Sequence, residues 1–157
     1  MSSMVSSSDN AIILSIKPKY AEAILAGIKR VELRRTRPQR LSEGGVVLLY
    51  ATSPARRFVG GFRVGEIRQE CTESLWQRVG DICSVSRDEY LSYYDGVDEG
   101  VALFVSGIWR LKRPMDLRAA RKRFPGFAAP RSFRYATALE LAALGEGCVW
   151  EEDSQLA

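Results

Sequence analysis

Histidine is absent from all 157 residues. The commonest general base and the commonest zinc ligand are therefore missing, and with them every Ser-His or Cys-His nucleophilic arrangement. Any chemistry falls to Lys, Arg, Glu, Asp, Tyr, Ser or Thr. Cysteine is scarce too: Cys71, Cys83 and Cys148 form no close pair and leave one over in any pairing. That argues against a disulfide framework or a zinc site and leaves them as small apolar fillers. No metal and no cofactor is expected. No apolar run approaches the roughly 18 residues needed to span a bilayer. The polar start, MSSMVSSSDN, has neither the basic nor the apolar stretch of a secretion signal. These absences lead to the expectation of a cytoplasmic protein with no membrane partner.

What is present suits one soluble domain, with an apolar fraction of 46% and a charged fraction of 27%. The net charge is only +4, but it is unevenly spread. Residues 17–40 carry eight basic side chains against Glu22 and Glu32, residues 66–100 sum to −6, residues 105–134 to +8 and residues 135–157 to −5. Two basic blocks around an acidic one predict a folded molecule with a single cationic face, the footprint of a polyanion partner. Arginine outnumbers lysine in both blocks, and its planar fork suits phosphate. The bland alternative is two solvated surfaces pointing different ways.

The chain divides into a polar tail (1–10), a domain (11–144) and an acidic tail (145–157) expected to be loose. AIILSI at 11–16 reads as a buried strand, and Pro18 opens a helix on which Ala21, Ile24, Leu25 and Ile28 share a face, with Gly27 as its stop. Residues 29–37 switch to a period of two, with Val31 and Leu33 on one side and Arg30, Glu32 and Arg34 on the other. A strand at 46–52 follows, then 58–67, where Gly60, Gly61 and Gly65 predict a strongly bent barrel strand. Two helices come next. The first carries Leu75, Trp76, Val79, Ile82 and Cys83, and the second opens on a capping box, Ser86 and Glu89, with Tyr90, Tyr93 and Tyr94 on a stripe read as core. Residues 101–111 give the strongest strand signal, with a bulge expected at Gly107; a short basic helix stops at Pro125, and Thr137 with Glu140 forms a second capping box. This order predicts an α+β fold, a small mixed β-barrel flanked by helices.

One local pattern stands out. Gly27 can take positive φ and turn the chain, placing Lys29 at the lip of the next strand, while alternation points Glu32 and Arg34 out of the same face. On its own this reads as a surface ion pair worth less than about 1 kcal/mol. Yet LSIKPKYAEAILAGIKRVELRR, residues 14–35, resembles the signature of the ASCH domain family of the PUA-like superfamily: a strand ending in K-P, a helix, then G-x-K-x-x-E-x-R. APRSFRYAT at 129–137 is similar to the proline-then-aromatic segment that follows the last barrel strand in that family. The resemblance covers roughly residues 11–144 and implies a basic cleft between the first helix and the barrel that takes RNA or a nucleotide, with DNA a further possible partner. The nucleic-acid-binding candidates are Lys17, Lys29, Arg30, Glu32, Arg34, Arg35, Arg131, Ser132, Phe133, Arg134 and Tyr135. Lys17, Lys29 and Arg34 would neutralise phosphate, and Glu32 would accept from a base edge or a ribose 2′-OH. Phe133 and Tyr135 are candidates to stack on bases, whereas Tyr50 shares its parity with core positions.

Some proteins with a similar motif are hydrolases, either amidohydrolases of acetylated cytidine or ribonucleases. The amidohydrolase pattern asks for threonine three residues after the lysine, and here that residue is Glu32. Nor does a second carboxylate align among Glu70, Glu73 and Asp81. Should the chain be an enzyme, Lys29 and Glu32 are the expected catalytic pair. A protein-interaction adaptor working through the acidic segment is a third, weaker reading.

Overall fold

In a computed structural model, residues 10–151 are described. Most of the expected N-terminal tail, and the end of the acidic tail, lie outside the described residues. The elements are β1 (Ala11–Ile16), α1 (Pro18–Leu25), β2 (Val31–Arg34), β3 (Val46–Ala51), β4 (Arg57–Cys71), α2 (Thr72–Val79), α3 (Arg87–Tyr93), β5 (Glu99–Asp116), α4 (Leu117–Arg123), β6 (Phe133–Tyr135) and α5 (Ala138–Leu144). The strands form one six-stranded sheet, ordered β2-β5-β4-β3-β1-β6, curled into a half-barrel. Only β1 with β3 is parallel; the other neighbours are antiparallel. The expected mixed α+β architecture is what the chain adopts.

Both faces of β1 are covered, which is why its sequence is almost continuously apolar. Ala11 and Ile13 enter one core cluster with Leu48, Phe58, Met115 and Phe124, beneath α4 and α5. Ile12, Leu14 and Ile16 enter a second with Ala21, Ile24, Phe62 and Leu103, beneath α1. A third cluster, of Val31, Leu33, Leu75, Val79, Tyr90 and Tyr94, seats α2 and α3 against β2. Tyr90 and Tyr94 are core, as their stripe predicts, and the Tyr94 hydroxyl donates to Arg34 O at 3.0 Å, anchoring the end of β2.

The bend lies where the glycines are. The β4 pairings shift register beside Gly60, between Arg63 and Val64, and across Gly65 between Val64 and Ile67. A side chain at Gly60 or Gly61 would run into Trp109, so these glycines allow β4 to close on β5.

Some boundaries differ from the sequence reading. The strand expected over 29–37 is only Val31–Arg34, because Arg30 N bonds out to Ile82 O at 2.9 Å. Ile82 and Cys83 lie in the turn after α2, and β6 was not foreseen, since three residues carry no readable period. Beyond Gly145, Trp150 is 5% exposed in the first cluster, and its indole N–H donates to Arg113 O at 2.7 Å. Among the described residues, no helix is long and apolar enough to cross a membrane.

Candidate functional site

The motif that begins at Gly27 folds into a buried charge chain. After α1, Gly27 takes φ +79°, and Ile28 N and Lys29 N both donate to Ala23 O at 3.0 Å. This tight turn drops Lys29 just ahead of β2, with 1% of its surface exposed. Its ammonium donates to Cys83 O at 2.5 Å, lies 3.5 Å from Glu32 Oε1 and sits 5.1 Å from the centre of the Tyr20 ring. Glu32 is 5% exposed, and its other oxygen accepts from Arg34 Nη1 at 3.2 Å. Arg34 Nη2 continues the chain by donating to Ser132 Oγ at 2.6 Å. The expected surface pair is thus buried, and each carboxylate oxygen of Glu32 faces its own cation.

Above this chain opens a cleft of about 650 Å³ between α1, the end of β1 and α3, lined among others by Ser15, Lys17, Tyr20, Glu89, Tyr90 and Tyr93. The Tyr20 hydroxyl donates to Glu89 Oε2 at 3.1 Å, joining α1 to α3 across one end. Burial, then the hydrogen bond to Glu89, pushes the Tyr20 phenol above its ordinary value. Burial also raises Tyr93, and Tyr90 to about 12. These phenols stay protonated at neutral pH and can donate. The N–H and hydroxyl of Ser86, with the Tyr20 hydroxyl, hold the Glu89 carboxyl down at about 2.

The basic blocks do not meet in this cleft. Its charged lining is Lys17, Lys29 and Arg34 against Glu32, Asp88 and Glu89, so cations and carboxylates balance. Ser132 reaches Arg34, and its carbonyl accepts from Ser15 N at 2.9 Å, so the 129–137 segment does come beside the motif. Arg134 does not face the cleft: alternation on β6 turns it to the other side of the sheet, where it forks onto Glu140 at 2.7 and 2.9 Å. Burial raises the Glu140 carboxyl, but the bonds from Arg134 and Thr137 outweigh it and leave it lowered. Arg30, Arg35 and Arg131 are exposed and outside the cleft lining. Phe133 and Tyr135 are half-buried against the second core cluster, with the Arg40 guanidinium 3.9 Å from the Tyr135 ring centre. Tyr50 is core, 3% exposed.

Ser15 and Tyr20 were not singled out from the sequence, and Tyr93 was read as core. Ser15 is the one polar residue in AIILSI, a signal that could have marked it; Glu89 was read only as a helix cap, a role it also fills. Among the described residues no group of three or more Cys, Asp or Glu is placed to hold a metal ion.

The family model of the ASCH domain matches residues 14–104, more than half of the chain. An ASCH domain-containing ribonuclease of Zymomonas mobilis is 28% identical over 123 residues, 78% of this chain and 82% of that protein. A large ribosomal subunit protein uL22 of Ureaplasma parvum is 30% identical over 107 residues, but the chain spans only 34% of it. The crystal structure of the Zymomonas ASCH protein superposes with a TM-score of 0.77 at 26% identity, covering 82% of this chain and 88% of that one. A Rhodopseudomonas palustris protein solved by NMR shares the fold, with a TM-score of 0.55 at 14% identity over 86% of this chain and 90% of that one. The motif's Lys29, Glu32 and Arg34 line the cleft, and by the match over residues 14–104 the chain belongs to the ASCH domain family.

Proposed function

We propose that this protein binds single-stranded RNA, seating one nucleotide in the cleft above Lys29, Glu32 and Arg34. The observation that carries the reading is the Lys29–Glu32–Arg34 chain, buried at Lys29 and Glu32 and lining a tyrosine-walled cleft of nucleotide size. Glu32 is held in place from both sides and keeps further acceptor sites for a base edge or a 2′-OH. Tyr93 offers a ring face and a phenol donor, the Tyr20 ring forms part of the wall, and exposed Lys17 stands at the mouth for the phosphate. Similarity to the Zymomonas ribonuclease supports RNA as the polymer. The test is fluorescence anisotropy with labelled single-stranded RNA. Arg34→Ala should weaken binding about tenfold, and wild-type affinity should fall with salt. Equal affinity of the two proteins would sink the reading.

A second reading, phosphodiester cleavage, is favoured by that same relative. In it the ribose 2′-oxygen attacks phosphorus and the bond to the 5′-oxygen breaks. The 2′-OH proton passes to a base, and the departing 5′-oxygen takes up a proton. Lys29 and Arg34 would stabilise charge growing on the phosphoryl oxygens. Glu32 can serve as base only if Arg34 swings onto the phosphate and frees Oε2. RNA fragments that disappear with Lys29→Ala and Glu32→Gln support cleavage; intact RNA after incubation with wild type rejects it.

A further inference from the structure

A second groove, of about 600 Å³, lies between the turn after β3 and helix α4, lined by Pro54, Arg56, Asp116, Arg118, Arg121 and Lys122 among others. Its four cations face a single carboxylate, Asp116, which already caps α4 by accepting from Ala119 N at 2.8 Å. Seven arginines elsewhere, Arg34, Arg63, Arg68, Arg78, Arg87, Arg110 and Arg134, each lie against a glutamate. Arg56, Arg118, Arg121 and Lys122 have no such partner among the described residues, and all four are exposed. Arg56 is also one of two non-glycine residues with positive φ among the described residues, at +49°. Such a backbone is uncommon for arginine and points at function when the surroundings hold it. Arg56, from the turn after β3, and Arg121, from α4, line the groove together.

The groove lies at the same end of the sheet as the cleft. Ile16 pairs with Ala51, Ala51 with Arg57 and Arg57 with Asp116, a row of three strand spacings, about 14 Å in all. Lys17 follows Ile16 on the cleft wall, and Arg56 precedes Arg57 at the groove. A strand leaving the cleft past Lys17 meets these cations within a few nucleotides.

We infer that the groove of Arg56, Arg118, Arg121 and Lys122 is a second binding surface, which holds the phosphate backbone of the RNA strand whose nucleotide occupies the cleft. This rests on the RNA reading above. Sequence preference belongs to the cleft; the groove, lined by cations and by no aromatic ring, reads charge.

The test compares labelled single-stranded RNAs of about four and about twelve nucleotides, titrated over a salt series. The variant is Arg118→Ala/Arg121→Ala/Lys122→Ala, and Arg34→Ala reports on the cleft. The triple variant should bind the short RNA within about twofold of wild type, bind the long RNA at least tenfold more weakly, and lose about 2 from its salt slope, near 0.7 per phosphate contact. Arg34→Ala should weaken both lengths. Unchanged binding of the long RNA by the triple variant overturns the groove and leaves the cleft standing. A weak triple variant beside an unaffected Arg34→Ala overturns the cleft and keeps the groove. Wild type that binds neither RNA overturns both. Displacement of the long RNA by polyglutamate as readily as by unlabelled RNA assigns the groove to acidic peptides instead. Should the triple variant melt early, Arg118→Ala/Lys122→Ala repeats the comparison with an expected slope loss of about 1.4.

Discussion

Burying an ammonium costs several kcal/mol unless it is paired and hydrogen-bonded, and Lys29, at 1% exposure, is provided with Glu32, Cys83 O and the face of Tyr20. Removing only the lysine leaves a buried carbonyl without its donor and a carboxylate with one cation fewer. Lys29→Met should therefore destabilise the fold by about 3–5 kcal/mol in urea unfolding, while Lys29→Met with Glu32→Leu recovers much of the loss. A cost below about 1 kcal/mol would show the lysine to be solvated instead. Gly27, Lys29, Glu32 and Arg34 were legible because local turn and strand geometry alone fix their relation. Burial was not, because it depends on Cys83 and Tyr20, which other elements bring. Arg134 was misplaced for a related reason: with β6 unread, nothing in the sequence shows which side of the sheet it faces.

Helix α3 forms one wall of the cleft, and its capping box holds its start: Ser86 Oγ accepts from Glu89 N at 3.1 Å, and Glu89 Oε1 accepts from Ser86 N at 3.0 Å. The folded Glu89 carboxyl titrates near 2 against an ordinary 4.5, so its support is complete above about pH 4.5 and fades as pH falls toward 2. Amide protection in α3, taken relative to the intrinsic exchange rate at each pH, should fall across that window, and Glu89→Gln should flatten the response. An unchanged pH profile in Glu89→Gln would assign it to other carboxylates. At the other box, Thr137→Ala should cost about 1 kcal/mol in thermal unfolding. Both boxes were legible as S-x-x-E and T-x-x-E, since a cap needs only four consecutive residues.

Across the whole molecule, a half-barrel was foreseeable from glycines inside strands, whereas the pairing order was not, because it joins segments far apart in sequence. The same holds for the far end of the chain. Acidic composition suggests a loose tail from 145 onward, but Trp150 fills part of the first core cluster. A chain ending at residue 144 should lose about 3–5 kcal/mol, as Trp150→Ala should, because each vacates the same space. Denaturant midpoints equal to wild type for both would show that Trp150 adds nothing.

The place of β1 has a consequence for the order in which the protein can assemble. The first strand lies between β3 and the last strand, β6, with Ile12 opposite Tyr135 and Leu14 opposite Phe133. A nascent chain can pair β1 with β3 early, but one edge of β1 stays open until residues 133–135 have left the ribosome. During that interval an apolar strand edge, Ile12 and Leu14 included, is available to other chains. Synthesis halted before residue 133 should give an aggregation-prone product, and release past residue 135 a soluble one.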